Sequence, residues 1–252
     1  MQRPRSVAFR YFRVMRRTRI AIALLLTIGS CGSPAHVRTT LPENVAADPR
    51  GLVGIIAPAP TTALPAALRA LGVPYRLIPP ADIDERQLEG LSLVVVDERA
   101  IDELAVAQAL PRLFDDTRTA GRPLLILTQS NERGVEALRA NAAPFEPRPV
   151  AHGVELAAPR GVHRALVAPN VLRGDDIAIF SDRTTQLVRG RNARALLAGN
   201  LDRPDSSAAL VRVTYGKGAV YYVSFELTAG AADGQPAEQR LLANLVSLGP
   251  GD

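Results

Sequence analysis

The residues of this chain that could carry chemistry are few: one thiol, Cys31; three imidazoles, His36, His152 and His163; a hydroxyl, Ser130, that follows an apolar run; and carboxylates paired at Asp97-Glu98 and Asp175-Asp176. A serine nucleophile needs a base within hydrogen-bond reach and an acid to orient that base. Ser130 with His152 or His163 as base and Asp97 as acid would meet that demand. Nothing in their spacing enforces it, and no Gly-x-Ser-x-Gly elbow surrounds the serine. Asn131-Glu132 behind it fits a helix start with Ser130 as N-cap equally well. Asp97-Glu98-Arg99 could hold a polar ligand or a cation, or close an ion pair within the protein. Asp175, Asp176 and Asp182 lack calcium-loop spacing, and His36 has no ligand-type neighbour. Gly216-Lys217-Gly218 is too short for a phosphate loop and falls between two strand-like runs. Tyr215, Tyr221, Tyr222 and Phe225 could form a glycan-stacking surface, but their spacing on strands fits a core face.

Cys31 stands apart from these because of what precedes it. Seven Arg and no acid occupy residues 1–30, followed by the apolar Ile20–Ile28 and the small pair Gly29-Ser30. That order is a secretory signal, and its apolar stretch is too short to span a bilayer. Ile28-Gly29-Ser30-Cys31 resembles the bacterial lipobox. The resemblance implies diacylglycerol on the Cys31 sulfur, cleavage before it, and commonly a further fatty acyl group such as palmitate on the new amino terminus. Met15-Arg-Arg-Thr-Arg19 would make an n-region by itself, so translation from Met15 is an alternative to Met1. Gly32, where an Asp would favour inner-membrane retention, points to the outer membrane in a Gram-negative host.

The formal charge of +5 belongs to this leader, because the remaining 222 residues hold 23 basic and 25 acidic side chains. A basic nucleic-acid binder is thereby excluded. With one Cys no internal disulfide can form.

The elements that must position the candidate residues follow from periodicity. Residues 31–50 lack any and read as a flexible tether; residues 51–249 read as one domain. Leu52–Ala57, Leu93–Val96 and Pro123–Leu127 are apolar throughout, Tyr75–Ile78 is apolar but for Arg76, and helical stretches at Ala63–Leu71, Ile83–Leu88 and Ile101–Thr119 separate them. Apolar strands spaced by helices make a doubly wound α/β domain with a mostly parallel sheet. Val150–Leu156, Thr185–Val188 and Ala195–Leu197 are shorter strand-like runs. Ala209–Tyr215 and Ala219–Phe225 form a hairpin across the two glycines, and Pro236–Leu248 is a final helix.

The segments GLVGIIAP, LSLVVVDERA, GRPLLILTQS, YGKGAVYYVSFEL and AEQRLLANLVSL, in this order, resemble the class I glutamine-amidotransferase-like superfamily, which implies a flavodoxin-like architecture. Its enzymes place a Cys on a Gly-flanked elbow after the strand corresponding to Leu124–Leu127, with a His and a Glu two residues apart downstream. This chain has Thr128-Gln129-Ser130-Asn131 at that place, and Val154 and Ala165 stand two residues after its histidines. The resemblance therefore implies a domain without the family chemistry.

In such a sheet ligands gather beyond the carboxyl ends of the strands. Thr61, Thr62, Asp97, Glu98, Arg99, Thr128, Gln129, Ser130 and Glu226 fall there. The expectation is a lipid-anchored envelope protein that binds or scaffolds an envelope protein or glycan, needs no cofactor or metal, and contacts the membrane through Cys31. The alternatives are a periplasmic or surface hydrolase using Ser130 or a carboxylate-bound metal, and a glycan-binding module.

Overall fold

The computed structural model describes residues 45–58, 62–150, 154–190, 192–202, 204 and 207–252. The expected signal segment, Cys31, His36, most of the tether, Thr61 and His152 lie outside the described residues. The strands are β1 (Leu52–Ile56), β2 (Tyr75–Leu77), β3 (Leu91–Val96), β4 (Leu124–Ile126), β5 (Glu146–Pro149), β6 (Gln186–Arg189), β7 (Ala193–Ala198), β8 (Ala208–Tyr215) and β9 (Gly218–Val223). The helices are α1 (Ala63–Ala70), α2 (Glu85–Leu88), α3 (Leu104–Ala120), α4 (Glu132–Ala140), α5 (Arg164–Val167), α6 (Gly174–Arg183), α7 (Thr228–Ala232) and α8 (Pro236–Val246).

Strands that are apolar on both sides cannot face water, so they form the middle of the sheet. Four of them, β1, β3, β4 and β9, run parallel with the mixed edge strand β2 in the order β2-β1-β3-β4-β9. This is the flavodoxin-like order, with β9 in the place of the fifth strand. Beyond β9 the sheet turns antiparallel: β8 pairs with β9, β6 and β7 pair with β8, and β5 pairs with β6. The hairpin of β8 and β9 therefore welds the two halves.

Alternate residues of each strand feed two cores. Val53, Ile55, Leu93, Val95, Leu125 and Tyr221 pack with Leu64 and Leu68 of α1 and Leu241 and Leu245 of α8. Val94, Val96, Leu124, Ile126 and Tyr222 pack with Leu110, Leu113 and Phe114 of α3 and Leu138 of α4. The helices on both faces make the sheet doubly wound.

Several elements differ from expectation. Of the strand expected at Val150–Leu156, residues 151–153 lie outside the described residues and the others are not in a strand; the strand of this region is β5, at Glu146–Pro149, where two prolines without N–H groups are tolerated because β5 is the last strand of the sheet. Helix α3 starts at Leu104 after a 3-10 turn at Ala100–Asp102. Asn131, not Ser130, caps α4: its side-chain oxygen accepts the Gly134 N–H at 2.8 Å. The last residues assigned to the tether are docked on the domain. The Ala46 N–H donates to Asn170 Oδ1 at 3.1 Å, the Asp48 N–H donates to Ser247 Oγ at 2.8 Å, and Arg50 pairs with Asp252 at 3.4 Å.

Candidate functional site

The strand order reverses between β1 and β3, and a crevice for ligands opens at the carboxyl end of such a reversal. Asp97 is the first residue after β3. Its N–H donates to the Ile56 carbonyl at 2.9 Å, which keeps the exit in register with β1. Its Oδ1 accepts the Glu98 N–H at 2.8 Å. The chain then reverses at Arg99, which adopts a left-handed conformation at φ 60° and donates its N–H to the Thr128 carbonyl at 3.2 Å. A non-glycine residue held there stores strain of order 1–2 kcal/mol.

Asp97 is only 1% exposed. Burial pushes its carboxyl up to about 6; the nearby Thr62 hydroxyl and the Glu98 N–H draw it back, and the Glu98 charge pushes it further up. The approach of Thr62 does not complete a hydrogen bond of good geometry, so Asp97 Oδ2 and Thr62 Oγ are both buried and unpaired. Such orphaned oxygens are rare in folded proteins and call for a partner.

Glu98 and Arg99 have other duties. A Glu98 carboxylate oxygen accepts the N–H groups of Leu227 at 2.7 Å and Thr228 at 3.0 Å, tying the β3 exit to the start of α7. Arg99 reaches Glu226 at 3.2 Å with both side chains more than half exposed, a pair that contributes at most about 1 kcal/mol.

After β4 the chain is locked rather than poised. Gln129 is wholly buried, and its amide nitrogen donates to the carbonyls of Asp97 at 2.9 Å and Leu127 at 2.8 Å. Its side-chain oxygen accepts the Ile101 N–H at 3.1 Å. Its backbone is held as well: Tyr222 Oη accepts the Gln129 N–H at 3.2 Å, and Gln186 Nε2 donates to the Gln129 carbonyl at 3.2 Å. Tyr222 Oη in turn donates to Gln186 Oε1 at 2.8 Å, closing the ring. Burial raises the Tyr222 phenol far above its ordinary range, so it stays a neutral donor. Thr128 is buried beside this ring, with an unpaired hydroxyl.

Ser130 is exposed, and no hydrogen bond joins it to a histidine among the described residues. His163 is committed elsewhere: its Nδ1 accepts the Ala165 N–H at 3.1 Å as the cap of α5, and its ring lies 6.1 Å from that of Tyr221. Successive strand residues point to opposite faces. His163 therefore packs on the face of β9 opposite Tyr222, the partner of the Thr128–Ser130 turn. Desolvation lowers its pKa to about 4, with Arg194 and Arg212 acting in the same direction.

The lesser candidates resolve into structure. Asp176 pairs with Arg240 at 2.5 Å and accepts the Arg173 N–H at 2.8 Å. Among the described residues no three His, Cys, Asp or Glu side chains gather to hold a metal. The Lys217 N–H donates to the Arg118 carbonyl at 2.9 Å, so the glycine turn caps the end of α3. Tyr221, Tyr222 and Phe225 are fully buried, the last stacked on Phe180 at 4.8 Å between ring centroids. None of these three rings is available to a glycan.

Gln186 and Tyr222 were not singled out as partners of this turn by their sequence. The available signals were a Gln at the head of a strand-like run and a Tyr on an otherwise aliphatic strand face.

No protein-family profile matches the chain, and no curated protein matches it by sequence. Solved structures do match in shape. A cytoplasmic protein from Salmonella typhimurium LT2 is 13% identical over 77% of this chain and 98% of its own, with a TM-score of 0.52. An exo-beta-1,4-mannosidase from Opitutaceae bacterium strain TAV5 is 12% identical with a TM-score of 0.50; the match covers 82% of this chain and 37% of the mannosidase. A glutamine amidotransferase from Thermotoga maritima is 12% identical over 77% of this chain and 95% of its own, with a TM-score of 0.43. What the chain shares with such structures is the fold: an α/β domain, doubly wound on a mostly parallel sheet of flavodoxin-like strand order.

Proposed function

We propose that this is a lipid-anchored protein of the bacterial cell envelope whose amidotransferase-like domain binds a ligand or partner and performs no covalent chemistry. The observation that carries the reading is the state of Gln129. It sits where the resemblance puts a nucleophile elbow, and every polar atom of its side chain is spent on the backbone of the neighbouring turns. The only Cys of the chain, Cys31, precedes the domain and belongs to the lipobox-like segment. Two or three acyl chains, each contributing about 0.8 kcal/mol per buried methylene, would hold the domain at the membrane.

The test is turnover. Full-length protein in detergent is offered ester, amide and glycoside substrates beside its Ser130→Ala variant. Equal, background rates are expected; a rate that the variant loses overturns the reading.

A further inference from the structure

The place where the chain enters the domain also sets which end of it meets the membrane, an inference that rests on reading Cys31 as lipid-modified. Ala46 and Asp48, just before β1, are fixed at the amino edge of the parallel strands. The Asn170 side-chain amide donates to the Ala46 carbonyl at 2.7 Å, and the Ala46 N–H donates back to Asn170 Oδ1 at 3.1 Å. Asn244, near the end of α8, secures this corner: its Oδ1 accepts the Asn170 N–H at 2.8 Å, and its Nδ2 donates to the Ala165 carbonyl at 3.1 Å. The span left between Cys31 and the docked chain is residues 32–44. Fully extended, a segment of that length reaches roughly 45 Å, which is about the width of a domain of this size. Bringing the carboxyl edge to the lipid would use the whole span along the flank of the domain; bringing the amino edge there uses little of it.

The side chains at that corner suit a lipid surface. Val162 and Val171 are 77% and 62% exposed. They flank the four-residue α5, which rises only about 6 Å, and the Leu172 N–H donates to the Leu166 carbonyl at 2.9 Å, which returns the chain to that helix. A singly exposed valine is ordinary, but these two stand among arginines. Arg160 and Arg194 are exposed, and the Arg194 guanidinium lies beside Gly161, 3.3 Å from where a Cβ there would stand. Arg50 and Arg164 are balanced by Asp252 and Asp48 at 3.4 and 3.8 Å, and Arg173 and the exposed Asp175 carry opposite charges at the start of α6. The charge of Arg160 and Arg194 is left in excess around Val162. Arg194 and Arg212 accordingly disfavour a proton on His163, the next residue. Apolar side chains rimmed by cations match acyl chains beneath anionic headgroups, and the anchor keeps such a surface within reach.

We propose that this amino-edge corner rests on the anionic surface of the membrane that holds Cys31, with Val162 and Val171 in the headgroup layer and Arg160 and Arg194 beside lipid phosphates. The carboxyl edge then points away from the bilayer, open to a partner in solution. Leu104, 71% exposed at the start of α3 just beyond the β3 exit, marks that far edge.

Full-length protein carrying Val162→Cys, Val171→Cys or Leu104→Cys is labelled with a thiol-reactive fluorophore. It is reconstituted in vesicles of phosphatidylethanolamine with one quarter phosphatidylglycerol and a lipid spin-labelled at headgroup level. Acylation consumes the Cys31 thiol, so intact mass showing one label per chain also reports the anchor. Quenching at positions 162 and 171 is expected to exceed that at 104 at least threefold. Arg160→Glu combined with Arg194→Glu, or phosphatidylcholine in place of phosphatidylglycerol, should at least halve that ratio, and thermal melting establishes that the variants are folded. Equal quenching at the three positions, or the strongest at 104, in protein that sediments with the vesicles overturns the orientation and leaves the anchor standing. A ratio indifferent to both changes of charge overturns the assignment to an anionic surface. Protein that takes two labels and stays off the vesicles overturns the anchor, and the orientation with it.

Discussion

The Gln129 side-chain amide donates to the Asp97 carbonyl at 2.9 Å, so the residue that follows β4 holds the exit of β3 in place. Replacing it strands the buried Ile101 N–H and takes a donor from the carbonyls of Leu127 and Asp97, of which the second keeps the Ala100 N–H. Each unsatisfied group costs about 1–3 kcal/mol, so Gln129→Ala should lower stability by about 3–5 kcal/mol in urea unfolding. Ser130→Ala, one residue on and exposed, should change it by less than about 0.5 kcal/mol. Comparable losses at the two positions would contradict the assignment of Gln129 as the lock.

Tyr222 closes the same lock from β9. Tyr222→Phe should cost about 2 kcal/mol, because it leaves the Gln129 N–H and Gln186 Oε1 without a partner. A double-mutant cycle with Gln186→Leu should show a coupling of about 1 kcal/mol or more. Additive losses would mean that the two side chains act separately.

The hairpin glycines are not interchangeable with other positive-φ glycines. A Cβ on Gly216 would lie 2.4 Å from the Arg118 carbonyl oxygen, whereas one on Gly234 would meet nothing within 4 Å. Gly234→Ala should therefore cost about 1 kcal/mol, the left-handed penalty alone. Gly216→Ala should cost clearly more, read as the difference in denaturation midpoint.

Two buried groups give stability opposite slopes with pH. Folded Asp97 titrates near about 6 against an ordinary 3.8, so between those values the folded state binds more protons and stability falls as pH rises. Folded His163 titrates near about 4 against 6.5, so in its window the unfolded state binds more protons and stability rises with pH. Each contribution is about 3 kcal/mol at full extent, and they oppose one another between about pH 4 and 6. Relative to the parent, Asp97→Asn should gain stability with rising pH across that range. His163→Asn, which retains a capping side chain, should lose it. Parallel profiles for the two variants would contradict the environments assigned to both groups.

The anchor predicts a fractionation result. Full-length protein should sediment with membranes and release a Cys31-containing peptide carrying diacylglycerol, and Cys31→Ala should leave the membrane fraction. Unchanged sedimentation of the variant, with no lipid on the parent, would remove the anchor from the account.

Much of the fold was legible because β1, β3, β4 and the final helix advertise themselves through local apolar periodicity. β5 was not, since Glu146–Pro149 resembles a loop until its place at the sheet edge explains the prolines. The start of α4 shifted by one residue because Ser130 and Asn131 are both good caps and only the Gly134 N–H decides between them. Of the site, Asp97 could be placed from its position after an apolar run. The role of Gln129 could not, because its partners lie 28, 32, 57 and 93 residues away in sequence. Non-local polar pairing leaves no periodic trace.

The central claim is that the turn after β4 is a structural lock and not a nucleophile. The most direct measurement is intact mass after exposure of the full-length protein to a fluorophosphonate that labels activated serines. The account predicts an unmodified mass after prolonged incubation. A stoichiometric adduct mapped to Ser130 would contradict it.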